Sequence, residues 1–209
     1  MEGSSDEKTD QELYYSQQYV KKYQPFKFLL YTLLGALAIL FIALSFSLLY
    51  AKTTGDLSSL QLPAIFHANT VIILMSSAAM YHAVRSLKQD DVIQYRWGLG
   101  VTFGLGLAFI GFQFLGWREL FQMGYSFVKS PSGSYLYLIS GIHALHIVAG
   151  LIALGIFFGK ALYQQKDPVQ ELLFLSDPAQ PTKVGLLSTY WHFVDGLWLY
   201  LYCFFLLVL

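Results

Sequence analysis

The sequence predicts an all-α membrane protein, a bundle of five transmembrane helices, and three observations carry that prediction. Of 209 residues, 56% are hydrophobic and only 12% are charged, whereas soluble domains carry about 25%. The charge is also unevenly placed: there is none over residues 28–50, none over 97–117, and Asp195 alone over 184–209. Finally, the apolar stretches reach the roughly 20 residues that a helix needs to cross a bilayer core. A soluble core helix does not stay uncharged on every face, and in lipid a helix satisfies its own backbone.

Taken in order, the spans fall at 28–51, 64–85, 97–117, 135–159 and 184–209. The second follows Pro63, a favourable helix entrance. The links carry the punctuation: Gly55, then Pro131 with Gly133, then Asp167-Pro168, Asp177-Pro178 and Pro181. Residues 1–27 are polar and begin with an acidic cluster that includes Glu2, Asp6, Glu7 and Asp10, unlike the basic start of a secretory signal. They read as an arm, either disordered and solvated or lying on the surface with Tyr14, Tyr15, Tyr19 and Tyr23 along the interface. The single cysteine, Cys203, falls within the last span and excludes an internal disulfide.

Lysine and arginine set the expected orientation. Ten of the 13 fall in the arm and in the links after the second and fourth spans, and three (Lys52, Arg118 and Lys129) on the other side. That bias places the N-terminus in the cytoplasm and the C-terminus outside. The net charge of zero gives no signal for nucleic acid, and none is expected as a partner.

Polar groups within spans are informative because each is costly there, about 2.5–3.5 kcal/mol for an aspartate at a helix centre. Asp195 lies about 16 Å in from Val184 at 1.5 Å per residue. Either it is protonated or it bonds to a neighbour, and His192 is three residues earlier on the same face. His143 and His146 share a stripe with Gly150 and Ala153, the small-and-polar pattern of a helix-packing face. A polar network of His143, His146, His192 and Asp195 locking spans four and five is the expectation. Asn69 and Gln113 are expected to bond across helices. Trp97 and Trp117, at span ends, are candidates for interfacial anchoring, and Arg85, Lys88 and Arg96 for contact with anionic lipid headgroups or with a partner subunit.

Metal chemistry is less well supported. His143 and His146, or two histidines on facing helices, suit a b-type haem in principle. Zinc or di-iron sites in bundles also need carboxylates, and no glutamate lies within a span. The expectation is that no metal and no cofactor is bound by this chain. Gly98, Gly100, Gly104, Gly106 and Gly111 lie in an apolar span and read as close helix packing. A small electron-carrying b-type cytochrome and a proton-coupled transporter remain alternatives.

Two runs are recognisable. Gly133-Ser134, then Gly141-Ile142-His143-Ala144-Leu145-His146, then Gly150 resembles one segment of subunit III of the haem-copper terminal oxidases. Tyr190-Trp191-His192-Phe193-Val194-Asp195-Gly196-Leu197-Trp198 resembles the closing signature of the same family. Asn69-Thr70, Ser76-Ser77 and Gln113 with Trp117 extend the likeness, which covers about residues 28–209 and suits the short five-helix bacterial form.

The resemblance implies a non-catalytic accessory subunit of a cytochrome c or quinol oxidase in the bacterial cytoplasmic membrane. Such a subunit packs on catalytic subunit I, beside subunit II, and supports sustained oxygen reduction with proton pumping. It also implies bound phospholipid, in a cleft between the first two helices and the other three, with haems and copper held by partner subunits. Two departures matter. The family often carries a glutamate in its first common span, but residues 31–50 contain no acid. Relatives often have a glutamate before the third-span tryptophan, and here the residue is Gly116.

Overall fold

The computed structural model describes residues 3–55, 62–127, 130–164, 177 and 179–209, with side chains from Tyr23 onward. Among them are five helices: α1 (Gly3–Thr53), α2 (Ile65–Lys88), α3 (Val92–Gln122), α4 (Pro131–Gln164) and α5 (Gln180–Val208). Each is long and apolar enough to cross a membrane, α1 over Tyr23–Thr53. No strand occurs among the described residues.

The helices overrun the apolar windows at several ends. Helix α1 continues back to Gly3 through Pro25, so the residues read as a separate arm have a helical backbone continuous with the first span. Tyr14, Tyr15 and Tyr19 lie outside the described side chains. Helices α2 and α3 leave only a three-residue turn, 89–91, between them. Asp90 takes φ 57° there, a left-handed conformation that aspartate tolerates better than most residues. The Asp91 carboxylate then caps α3 by accepting the Gln94 N–H at 3.0 Å.

That tight turn makes α2 and α3 an antiparallel pair, the most extensively packed among the described helices. Their contact depends on absent side chains. A Cβ on Gly98 would fall 2.7 Å from the Ala83 Cβ, and one on Gly116 would fall 2.9 Å from Ile65 and 3.0 Å from Phe66. Gly116 is therefore where α2 rests on α3, and a glutamate side chain has no room there. Of the other third-span glycines read as packing positions, Gly100 and Gly106 meet side chains, whereas Gly104 and Gly111 face open space.

Helix α4 packs on α3, and α5 on both α2 and α4. Helix α1 leans on α5, and less on α4, rather than on its sequence neighbour α2. Lys52 near its end donates to the Val208 carbonyl at the end of α5, at 2.5 Å. Ser47 meets the Tyr135 hydroxyl of α4 at 3.1 Å. Helix α2 thus packs with α3 and α5, and α1 joins the bundle mainly through α5.

Candidate functional site

The polar groups inside the bundle concentrate on the seam between α2 and α5. In an apolar medium an indole N–H has no water to turn to and must find an acceptor in the protein. Trp191 donates to the Ser76 hydroxyl at 3.0 Å, and Trp198 donates to the Thr70 hydroxyl at 3.2 Å. Both rings are fully buried. Thr70 spends its own proton on the Phe66 carbonyl of its helix, at 2.9 Å, which leaves its lone pairs for the indole. On the same seam His192 Nδ1 meets the Ser77 hydroxyl at 2.6 Å, and His67 Nδ1 meets the Tyr202 hydroxyl at 2.7 Å. The four pairs run in opposite directions along the two helices, as antiparallel packing requires.

Asp195 lies within this ladder, between Trp191 and Trp198 on α5. It is 5% exposed. The Ser77 hydroxyl lies beside it and is also hydrogen-bonded to His192 Nδ1; a hydroxyl can accept from one group and donate to another. Neither carboxyl oxygen has a hydrogen-bond partner among the described residues. The nearby His192 thus bonds across to α2 instead of along α5 to Asp195.

The α4 histidines take different roles. His143 is fully buried among the rings of Phe41, Phe109 and Trp198, with centroids 6.3, 5.9 and 5.2 Å away. Its ring nitrogens have no hydrogen-bond partner among the described residues. His146 turns Nδ1 back to the Ile142 carbonyl of its own helix at 2.7 Å. What ties α4 to α5 is Tyr190, whose hydroxyl donates to the His146 carbonyl at 2.9 Å. Gly106 of α3 and Gly150 of α4 leave the space that the Trp191 ring fills, since a Cβ on either would come within 3.0–3.1 Å of it. His143, His146, His192 and Asp195 all sit at the α4–α5 end of the sequence, yet no hydrogen bond joins any two of them.

Asn69 and Gln113 do meet, with the Asn69 amide donating to the Gln113 carbonyl at 3.1 Å between α2 and α3. Trp117 lies near the end of the apolar stretch of α3, and its indole donates to the Ser140 hydroxyl of α4 at 3.0 Å. Trp97 is exposed, as are Arg85 and Lys88, but Arg96 is buried inside α3. Among the described residues, no three histidine, cysteine, aspartate or glutamate side chains converge as a metal would need.

Thr70, Ser76 and Ser77 enter the sequence reading only through the resemblance, and their role as partners of α5 is not read there. Helix α2 supplies His67, Thr70, Ser76 and Ser77 to the seam. A signal existed: hydroxyl residues on one α2 face, and two tryptophans one seven-residue step apart on α5.

The architecture, the buried tryptophan and histidine signature on α5, and its hydroxyl partners on α2 can be set against known proteins. The family model described as cytochrome c oxidase subunit III matches residues 53–208. The chain belongs to the cytochrome c oxidase subunit III family. The match takes in all of α2 to α5. A Bacillus protein named cytochrome c oxidase subunit 3 is 28% identical over 174 residues, covering 81% of this chain and 79% of that one. A Thermostichus vulcanus protein of the same name is 28% identical over 135 residues, 64% of this chain and 61% of its own length. A Mycobacterium tuberculosis relative, named "Probable cytochrome c oxidase subunit 3", is 32% identical over 133 residues, and the chain spans 61% of its length. In subunit III terms, the two recognisable runs are the first half of α4 and the middle of α5.

Proposed function

We propose that the chain is the non-catalytic subunit III of a respiratory terminal oxidase in a bacterial cytoplasmic membrane. It packs on catalytic subunit I, lies beside subunit II, binds phospholipid, and sustains oxygen reduction with proton pumping. Haems and copper belong to the partner subunits. The N-terminus lies in the cytoplasm, as the lysine and arginine bias favours. The observation that carries this reading is the family match over residues 53–208, which includes every residue of the α2–α5 ladder. The placement of the histidines agrees with a scaffold. His143 is enclosed by three aromatic rings, and His192 and His67 are engaged with hydroxyls on a neighbouring helix.

The test is purification of the tagged chain from its native membrane in mild detergent. A larger haem-bearing subunit and a copper-bearing subunit are expected to accompany it, and the separated chain should show no Soret band. Membranes lacking the chain should hold an oxidase that turns over at first and then loses activity faster than the intact complex. A Soret band of one haem per separated chain would overturn the reading, as would a chain that never co-purifies with an oxidase.

A further inference from the structure

The aromatic side chains on and near the α2–α5 seam differ in what receives their protons. The Trp191 and Trp198 indoles donate to the Ser76 and Thr70 hydroxyls, and a hydroxyl is not a base at neutral pH. Tyr190 and Tyr137 donate to the His146 and Trp117 carbonyls, and Tyr135 meets the Ser47 hydroxyl. Tyr202 meets an imidazole instead. Its hydroxyl lies 2.7 Å from His67 Nδ1, with the two rings edge to face at 5.6 Å. That separation is within the reach at which a histidine takes a proton from its donor. His67 is exposed and is the third residue of α2, so it stands near the end of its span. Trp191, Trp198 and Tyr202 follow one another along α5 at steps of seven and four residues. They therefore share one face, with about 10 Å and then about 6 Å between them along the axis. Trp198 touches further rings, with Phe109 at 5.0 Å and Phe66 stacked at 6.0 Å.

We propose that Trp191, Trp198 and the Tyr202–His67 pair form a one-electron relay that carries oxidising equivalents out of the bundle and ends on a tyrosyl radical at Tyr202. A strong one-electron oxidant takes an electron from an indole. The indole cation radical has no base to receive its proton, so it is repaired by an electron from the next ring. At Tyr202 the electron leaves as the phenol proton passes to His67 Nδ1, which yields a neutral tyrosyl radical and a protonated imidazole. A one-electron reductant, such as a thiolate, then returns the electron, and the His67 proton goes back to the phenol. The oxidant is an oxygen-activated haem of the partner subunit. Its presence rests on the oxidase reading above, whereas the relay rests on the geometry of α2 and α5.

The test is flash oxidation of the purified full chain in detergent, with a ruthenium photo-oxidant on one cysteine and the radical read by electron paramagnetic resonance. Gly185→Cys, in a Cys203→Ser background, places the label six residues before Trp191, where a Cβ meets nothing within 4 Å. Tyr202 is then about 25 Å away along the helix, so the tryptophans must serve as steps. A tyrosyl signal is expected. Tyr202→Phe should abolish it, and Trp198→Phe should abolish it by breaking the chain. His67→Gln, which keeps an acceptor but removes the base, should shift the radical to an indole. Tyr200→Phe, an exposed ring stacked on Phe204, should change nothing. With the label on the native Cys203, which is exposed and the single cysteine, the tyrosyl signal should form more slowly in deuterated buffer. That arm needs no substitution. A tyrosyl signal that survives Tyr202→Phe or His67→Gln would overturn the pair, and one that survives Trp198→Phe would overturn the relay. Equal rates in the two buffers would overturn the proton transfer. A chain that gives the Tyr202 signal but joins no oxidase would sink the oxidase reading and leave the relay standing; an oxidase-bound chain without the signal would do the reverse.

Discussion

The Trp191 indole nitrogen and the Ser76 hydroxyl lie 3.0 Å apart, joining α5 to α2 across the buried centre of the bundle. The hydroxyl is the indole's acceptor, and Gly106 and Gly150 leave the space for the ring. Ser76→Ala removes the acceptor without changing the volume much. Interhelical hydrogen bonds in membrane proteins average about 0.6 kcal/mol and reach about 1.7, and a fully buried donor belongs in the upper half of that range. Thermal unfolding in detergent of Ser76→Ala, Trp191→Phe and the pair should give a double variant that costs less than the sum of the singles. Strict additivity would show that the bond contributes nothing.

Gly116 marks the point where α2 rests on α3. Gly116→Ala should destabilise by about 1–3 kcal/mol, the usual cost of forcing extra atoms into a packed contact. Gly116→Glu, which would push a long side chain against Ile65 and Phe66, should prevent accumulation of folded chain in the membrane. The measurement is the folded fraction by size-exclusion chromatography in detergent. A well-folded Gly116→Glu protein would show that the α2–α3 contact can open at that level.

Asp195 is buried without a hydrogen-bond partner among the described residues. Asp195→Asn keeps the shape and removes the ionisable group, so stability of the chain in detergent should change by no more than about 1.5 kcal/mol, the net worth of one hydrogen bond. A loss of about 3 kcal/mol or more would reveal a buried ionic partner for this carboxyl.

Outside the membrane, Asp177 accepts the Ala179 amide at 2.9 Å and the Lys183 ammonium at 3.1 Å just before α5 begins. Partial burial raises its pKa, but these two donors outweigh that and hold the carboxyl below its ordinary value. A depressed folded value means that the contribution is complete above the unfolded pKa, about 3.9, and is lost as pH falls through the lower folded one. Hydrogen exchange at the Ala179 amide, corrected for intrinsic rates, should therefore lose protection below about pH 4. Asp177→Asn should flatten that dependence. The pair is a third exposed on each side, so added salt should weaken the effect.

Composition and charge placement determined the five spans on their own, because crossing a bilayer demands a long uncharged helix and few other sequences supply one. The signature runs on α4 and α5 were equally legible, since they are contiguous in the chain. The helix ends were less so: α1 runs on past the polar residues to Gly3 because helical backbone bonding does not stop where hydropathy does. Only the tertiary structure decided who meets whom. Asn69 with Gln113 came out as expected, but His192 found Ser77 rather than Asp195, and His143 found aromatic rings rather than a carboxylate. Sequence spacing says which residues share a face of one helix. The partner across a seam depends on the rotation and register of a second helix, and here those are set by Gly98 and Gly116 on α3 and by the two indoles of α5 that must find hydroxyls on α2.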